Sequence, residues 1–263
     1  APDLVTANNS GSTVSILLNT PPSAGISFKP VENYPAGTNP QSVALGDFNR
    51  DGIPDLATAD SGAGTASRLL GDGDGTFGLK VSYAVGSMPG SVAEGDFNRD
   101  GIADLAVANS NGTTVSILMG TGSGTFAAEA PYAAGGYPSS VAVGDFDRDG
   151  DIDLAVTNLI DGTVSILINN GSGIFGAAAP YAVGTMPQSV AVGDFNMEGK
   201  PDLDVANYGA GDTASTVSIL IGNGDGTFDT KVDYAVGLKP QSVAVGDFNM
   251  DGKPDLAVAN CDG

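Results

Sequence analysis

One acidic nine-residue pattern occurs five times in the chain, and its residue types and spacing are suited to binding a metal ion. In Asp-Phe-Asn-x-Asp-Gly-x-x-Asp and its variants, side-chain oxygens stand at positions 1, 3, 5 and 9, and a glycine at position 6 allows a sharp turn. The backbone carbonyl of position 7 offers a further oxygen. The copies run from Asp47 to Asp55, Asp96 to Asp104, Asp145 to Asp153, Asp194 to Asp202 and Asp247 to Asp255.

A set of ligands made only of oxygen selects a hard cation. Calcium fits best, because magnesium needs stricter octahedral geometry and retains water, and softer metals prefer nitrogen or sulfur. We therefore expect about five Ca²⁺ ions, one for each loop. The candidate ligands, with position 7 acting through its carbonyl, are Asp47, Asn49, Asp51, Ile53, Asp55; Asp96, Asn98, Asp100, Ile102, Asp104; Asp145, Asp147, Asp149, Asp151, Asp153; Asp194, Asn196, Glu198, Lys200, Asp202; Asp247, Asn249, Asp251, Lys253 and Asp255.

Two other interpretations of the loop fit the residues less well. An EF-hand needs a glutamate at position 12, where this chain has Thr58 or a valine inside an expected strand. Simple side-chain turns need one Asp or Asn, and each loop has several at fixed spacing. The pattern therefore predicts a cation site in a β-hairpin. Glu198, at position 5 of the fourth loop, has a longer side chain and predicts a weaker site there.

Composition excludes several kinds of function. The 31 acidic and 10 basic residues give a formal charge of −21, which disfavours nucleic acid and anionic lipid as partners. No apolar run is long enough to span a membrane. The chain has no histidine, so Ser/His and Cys/His nucleophile pairs are excluded, and its single cysteine, Cys261, cannot form an internal disulfide. We expect no enzymatic activity, because nearly every clustered acid is already explained as a calcium ligand.

Internal repeats predict the fold. The segment Asp-Leu-Ala-Val-Ala-Asn and its variants begins at residues 3, 55, 104, 153, 202 and 255, so the unit is about 49 residues long. Each unit contains four short strands, A to D, separated by turns rich in glycine, with the acidic loop between A and B. The chain is therefore expected to be all-β, a single β-propeller domain of four-stranded antiparallel blades over residues 1–263.

The aromatic residues repeat with the unit. Fifteen Phe and Tyr residues fall at repeat positions and are expected to pack between blades.

The two ends of the chain do not coincide with the start and end of a blade. The chain begins in strand B of one unit and ends after strand B of another, which gives four full blades and two partial ones, about five blades of strands. Either a longer chain supplies more blades, or the unpaired terminal strands associate with a neighbouring molecule.

The segment Ser242 to Asn260, together with Thr216 to Phe228, resembles the FG-GAP or VCBS repeat. This repeat forms the calcium-binding blades of integrin α-subunit propellers and of many secreted bacterial and some fungal proteins. The resemblance covers essentially the whole chain. It implies a propeller with calcium in the A–B hairpins, on the face opposite the B–C and D–A loops.

That opposite face is the expected ligand site, because its loops vary between units while the acidic loops barely change. Tyr137, Tyr208, Asn109, Asn111 and Asp161 are candidates for binding a sugar by ring stacking and hydrogen bonds. Three Asn-x-Ser/Thr sequences begin at Asn8, Asn111 and Asn170 and are potential glycan acceptors.

The sequence therefore favours an extracellular, calcium-stabilised adhesion or recognition module for glycan or protein. Extracellular placement follows from calcium loops of this type, which fill best at millimolar calcium. The alternative is a structural protomer of an extracellular filament or surface layer, assembled through the unpaired terminal strands.

Overall fold

The computed structural model describes residues 3–20, 27–210 and 215–262. The N-terminal part contains five short strands and one turn of 3-10 helix. In chain order these elements are β1 (Leu4–Asn8), the 3-10 turn (Asn9–Gly11), β2 (Thr13–Leu17), β3 (Asn19–Thr20), β4 (Ser27–Phe28) and β5 (Glu32–Pro35). Strands β1, β2 and β5 form a three-stranded antiparallel sheet, the N-terminal partial blade, whereas β3 and β4 form a small separate hairpin.

Four complete blades follow, and each is a four-stranded antiparallel sheet in which neighbouring strands are consecutive in the chain. Blade 1 consists of β6 (Pro40–Gly46), β7 (Asp55–Asp60), β8 (Thr65–Leu69) and β9 (Val81–Ala84). Blade 2 consists of β10 (Pro89–Gly95), β11 (Asp104–Asn109), β12 (Thr114–Leu118) and β13 (Ala130–Ala133). Blade 3 consists of β14 (Pro138–Gly144), β15 (Asp153–Asn158), β16 (Thr163–Leu167) and β17 (Ala179–Ala182). Blade 4 consists of β18 (Pro187–Gly193), β19 (Asp202–Asn207), β20 (Thr216–Leu220) and β21 (Val232–Ala235).

A C-terminal partial blade of two strands, β22 (Leu238–Gly246) and β23 (Asp255–Asp262), completes the described chain. The predicted all-β propeller fold, with full blades in the middle and B-C-D and A-B sheets at the ends, is confirmed. The hairpin of β3 and β4 was not predicted. None of the described residues belongs to a helix that is long and apolar enough to cross a membrane.

Consecutive blades are joined side by side through their A strands. Strand β6 packs beside β10, β10 beside β14, β14 beside β18 and β18 beside β22. A serine of one A strand accepts a hydrogen bond from the next, as in Val92 N to Ser42 Oγ (3.3 Å) and Val141 N to Ser91 Oγ (3.2 Å). Strand B is completely buried in every full blade.

The core consists of the aromatic and aliphatic side chains between blades. Phe146, which follows strand A of blade 3, meets Phe228 of the next blade edge-on at 5.6 Å, and Tyr181 packs against the same ring. Equivalent pairs join Phe48 to Phe126 and Phe97 to Phe175. The prediction that the repeated aromatics pack between blades is confirmed for these residues.

The same prediction is wrong at the C-terminal side. Phe248 is 62% exposed and Tyr234 is 57% exposed, whereas their counterparts Phe146 and Tyr181 are buried or half-buried. The reason is that the C–D hairpin of the following blade covers both of these counterpart rings. Among the described residues, the C-terminal partial blade has no C–D hairpin to cover Tyr234, and no further blade follows it to cover Phe248.

Candidate metal loops and ligand face

The acidic loops connect strands A and B, and their backbone curls around their own side chains. In the first loop, Asp47 accepts hydrogen bonds from Asp51 N (3.1 Å) and Gly52 N (2.8 Å), and Asp51 accepts one from Ile53 N (2.8 Å). Arg50, with φ 63°, and Gly52, with φ 79°, adopt the left-handed conformation that this curvature requires. The second and fifth loops repeat all three bonds, and the fourth loop repeats the two to its first aspartate, Asp194.

The aspartate at position 9 ties the acidic loop to the C–D hairpin of the same blade. One oxygen of Asp104 accepts from Phe97 N (2.9 Å) and the other from Gly120 N (2.7 Å). The aspartates at the same position in the other full blades do the same. Burial raises the pKa of Asp104 to about 6 and that of Asp153 to about 7. These aspartates therefore hold the acidic loop against the C–D hairpin, and each of their oxygens keeps a lone pair that could bind a cation.

The third loop has the densest cluster of carboxylates. Ligand oxygens of Asp145, Asp147 and Asp149 all lie within 4.8 Å of one another. Oδ1 of Asp145 is buried and has no hydrogen-bond partner among the residues that the structure describes. Burial is the main cause of the raised pKa of Asp147. A divalent cation fits this set, because it would satisfy the unpartnered oxygen and remove the repulsion between the three carboxylates.

A basic side chain from the preceding loop also reaches the third loop. Arg99 forms an ion pair with the side chain of Asp151, and its Nη2 donates to the carbonyl of Asp149 (2.9 Å). Arg99 thus supplies part of the positive charge at this loop. It also links the acidic loops of blades 2 and 3.

The fourth loop differs from the others because the carboxylate at its position 5 is already paired. Glu198 pairs with Lys200 Nζ (2.7 Å) and accepts from Asn196 Nδ2 (2.7 Å). These two hydrogen bonds, with that of Lys200 the larger, lower the pKa of Glu198. The carboxylate at position 5 already has an ammonium partner, so a cation at this loop must compete with Lys200.

The face opposite the acidic loops, formed by the B–C and D–A loops, is called the variable face. There the residue before the D–A proline is held in the left-handed conformation in each full blade. This residue is Asn39, Met88, Tyr137 or Met186, with φ between 50° and 58°. Its carbonyl accepts a hydrogen bond from the B–C loop, as in Leu159 N to Tyr137 O (2.9 Å). The scaffold therefore imposes one backbone conformation, while the side chain varies among asparagine, methionine and tyrosine.

The five predicted ligand residues are distributed unevenly over this face. Tyr137 is 43% exposed, Tyr208 is partly exposed, and Asn111 and Asp161 are exposed. Oδ2 of Asp161 accepts from Gly136 N (2.6 Å), so it supports the loop that carries Tyr137. Asn109 is fully buried and its amide donates to Thr114 and Ser116, so it acts within blade 2 and does not reach the surface.

The remaining predictions about surface residues concern glycosylation and the cysteine. Asn111 and Asn170 are exposed. The amide of Asn8 donates to Thr13 Oγ1 and Ser15 Oγ, so it is engaged within the N-terminal partial blade. Cys261 is an exposed free cysteine. The B–C loop of blade 4 was also expected at the variable face, and its residues 211–214 lie outside the described residues.

A pocket of about 270 Å³ lies on the variable face and was not predicted. It involves blades 1 to 4, and its lining includes Gln41, Met88, Gly90, Tyr137, Ser139 and Gln188. A signal for it was present in the sequence at the position after the D–A proline, where blades 2 and 3 replace the recurrent glutamine by glycine and serine.

Comparison with protein families decides how the chain is classified. The FG-GAP-like repeat matches residues 1–58, 48–107, 96–156, 152–205 and 203–258, which together cover nearly the whole chain. The chain belongs to the FG-GAP-like repeat family. Each matched segment ends three residues after one of the acidic loops described above. A search of curated proteins finds no match.

The FG-GAP chain is similar in fold to several solved propeller-like structures. A putative 6-phosphogluconolactonase from Bacteroides fragilis superposes with a TM-score of 0.71 and 16% identity over 98% of this chain and 73% of the other. BBS1N, solved in complex with ARL6DN, superposes with a TM-score of 0.65 and 13% identity over 98% of this chain and 71% of the other. A lectin from Agrocybe aegerita that recognises non-reducing terminal N-acetylglucosamine superposes with a TM-score of 0.60 and 19% identity over 98% of this chain and 74% of the other. At these identities the likeness shows the fold alone.

Proposed function

We propose that this FG-GAP propeller is a calcium-stabilised recognition module that works outside the cell and binds a glycan or a protein through its variable face. The observation that carries the proposal is the division of labour between the two faces. One face repeats an oxygen-rich loop five times, and the other presents Asn, Met or Tyr from the four full blades on a constant backbone. A constant scaffold with variable loops is typical of a binding surface.

Calcium is the cation that suits the acidic loops. The third loop offers the clustered carboxylates of Asp145, Asp147 and Asp149, one of them with an unpartnered buried oxygen. Five divalent ions would neutralise about half of the formal charge of −21. Because ions held only by the folded protein stabilise it by mass action, each site contributes about 2.7 kcal/mol when calcium is a hundredfold above its Kd.

Recognition as the activity is supported by the chemistry of the variable face and by two of the structural neighbours. Tyr137 is half exposed beside a pocket, and tyrosine provides a flat apolar surface with a polar tip. One neighbour is a lectin and another was solved bound to a protein. Extracellular placement is supported by the acidic loops, since weak calcium sites of this kind fill at millimolar calcium.

Thermal unfolding tests the calcium part of the proposal. The protein should melt at a markedly lower temperature in EDTA than in millimolar calcium, and magnesium at the same concentration should restore little of the difference. As a matched pair, Asp149→Asn should reduce the effect of calcium, while Asp229→Asn, an exposed residue outside the acidic loops, should leave it unchanged. Equal melting temperatures with and without calcium would refute the metal assignment.

Binding assays test the recognition part. The calcium-loaded protein should bind a subset of a glycan array or a defined panel of extracellular proteins, and Tyr137→Ala should weaken that binding without lowering the melting temperature. Detection of the protein in the medium or at the surface of its producing cells would test its placement. Absence of binding to both panels would argue against a recognition module.

The second candidate function is a structural protomer of an extracellular filament or surface layer. Exposed Phe248 and Tyr234 favour it, as does a groove of about 520 Å³ lined by Leu4, Leu45 and their neighbours beside the N-terminal partial blade. Electron microscopy discriminates between the two functions. Filaments of stacked propellers that are lost in Phe248→Ser would support the structural function, and isolated propellers at high protein concentration would exclude it.

A further inference from the structure

The pocket on the variable face exists because two blades depart from the repeat. The first residue after the D–A proline is glutamine in blades 1 and 4 and in the C-terminal partial blade, but Gly90 in blade 2 and Ser139 in blade 3. A Cβ atom at position 90 would lie 2.4 Å from Ser110 Oγ, so the glycine allows a close approach of the B–C loop. Two missing long side chains thus leave a cavity of about 270 Å³ between Gln41 and Gln188.

The described residues that line this pocket are all uncharged, although the protein carries a formal charge of −21. It consists of amide, hydroxyl and apolar groups, with Met88 and Tyr137 exposed by 52% and 43%. Such a lining has no group to neutralise a phosphate, a carboxylate or an ammonium ion. It instead suits a ligand with several hydroxyl groups and one apolar face, because amides and hydroxyls can donate and accept while the aromatic ring covers the apolar face.

The rim of the pocket is held in place before any ligand arrives. Tyr137 donates its backbone N–H to Gly112 O (3.0 Å) and accepts from Leu159 N (2.9 Å). Asp161 supports the preceding Gly136. On the other side, Gln41 Nε2 donates to Ser61 Oγ (3.1 Å). A rigid rim lowers the entropy lost on binding, which favours a specific site over an incidental hollow.

We infer that this pocket binds a single neutral pyranose ring, at the end of a glycan or as a free sugar. The volume is just below the range of about 300–1,000 Å³ of most small-molecule sites, which suits one ring better than an extended chain. In the bound state the ring packs on Tyr137, and its hydroxyls exchange hydrogen bonds with Gln41, Gln188 and the serines. The inference rests on the proposed recognition function and names its ligand class and its residues.

Saturation-transfer NMR with the calcium-loaded protein tests the inference. The probes are methyl pyranosides of glucose, galactose, mannose and N-acetylglucosamine, with glucuronic acid and sialic acid as charged counterparts. The parent should bind at least one neutral pyranoside and neither charged sugar. Ser139→Gln restores the side chain that other blades carry and fills the pocket, and Tyr137→Ala removes the platform. Each should weaken binding by at least about tenfold, which is 1.4 kcal/mol.

Met186→Ala is the matched control, because Met186 occupies the same left-handed position in blade 4 but is not part of the pocket lining. It should bind as the parent does, and all three variants should melt close to the parent. If Ser139→Gln and Tyr137→Ala keep full affinity, or if the parent binds only charged sugars or only a protein, the pocket assignment is wrong while the recognition function stands. If the parent binds neither sugars nor the protein panel, both fail together.

Discussion

Replacing Asp204 by alanine is expected to stabilise the protein at neutral pH. Asp204 lies in strand B of blade 4, where the other full blades have Ala57, Ala106 and Ala155. Its side chain is completely buried, and Oδ1 accepts from Ala191 N (3.0 Å). Oδ2 has no hydrogen-bond partner among the described residues. A buried carboxylate with only one hydrogen bond is costly once it ionises.

The magnitude follows from the carboxyl's ionisation. Burial raises the pKa of Asp204 from 3.8 to about 7. Below pH 4 the group is protonated in both the folded and the unfolded state and contributes no penalty. Between pH 4 and pH 7 the unfolded chain ionises while the folded protein keeps its proton, so stability falls as pH rises. At 1.36 kcal/mol per pH unit, the penalty reaches at most about 4 kcal/mol above pH 7.

The alanine also loses the hydrogen bond from Ala191, which is worth about 1 kcal/mol. We therefore expect Asp204→Ala to be about 2–3 kcal/mol more stable than the parent at pH 8, equivalent to roughly 5–10 °C in melting temperature. At pH 4.5 we expect it to be equal to the parent or slightly less stable. The sign of the difference thus reverses with pH.

Denaturant unfolding of both proteins in the same excess of calcium, at pH 4.5 and pH 8, measures this difference. Asp204→Asn keeps the shape and cannot ionise, so it should remove the contribution of Asp204 to the pH dependence and leave that of the other buried carboxyls. Asp229→Ala makes the same change in net charge at an exposed position and should follow the parent at both pH values. A difference between Asp204→Ala and the parent that is independent of pH would refute the reasoning.

Two further predictions concern the metal loops and the packing between blades. Glu198→Asp should tighten calcium binding at the fourth loop, because it restores the shorter carboxylate and frees it from Lys200, whereas Asp100→Glu should weaken calcium binding at the second loop. Calorimetric titration measures both affinities, and affinities equal to the parent's would show that position 5 is not a ligand. Phe146→Ala should cost about 3–5 kcal/mol in urea unfolding, and the exposed Phe248→Ala less than about 1 kcal/mol; similar losses would contradict the packing described here.

Much of this protein follows from local pattern and repetition. A strand bounded by turn residues and repeated every 49 residues or so can bury its apolar face only against its neighbours, so the propeller and its four-stranded blades could be predicted without coordinates. The acidic loops are equally local, because all of their oxygens lie within nine consecutive residues. Glu198 stood out for the same reason, as a single departure from a repeated pattern.

The tertiary structure decided what depends on neighbours that are distant in the chain. Repetition made Phe248 look equivalent to Phe146, but burial depends on whether a following hairpin covers the ring. Asn109 looked like a surface ligand, but its amide is turned into blade 2. The pocket beside Tyr137 requires four blades to converge, and its volume depends on which side chains are missing there. A sequence pattern specifies what chemistry each residue offers. Which side chains are exposed, and which residues from different blades line one pocket, is decided only when the blades pack.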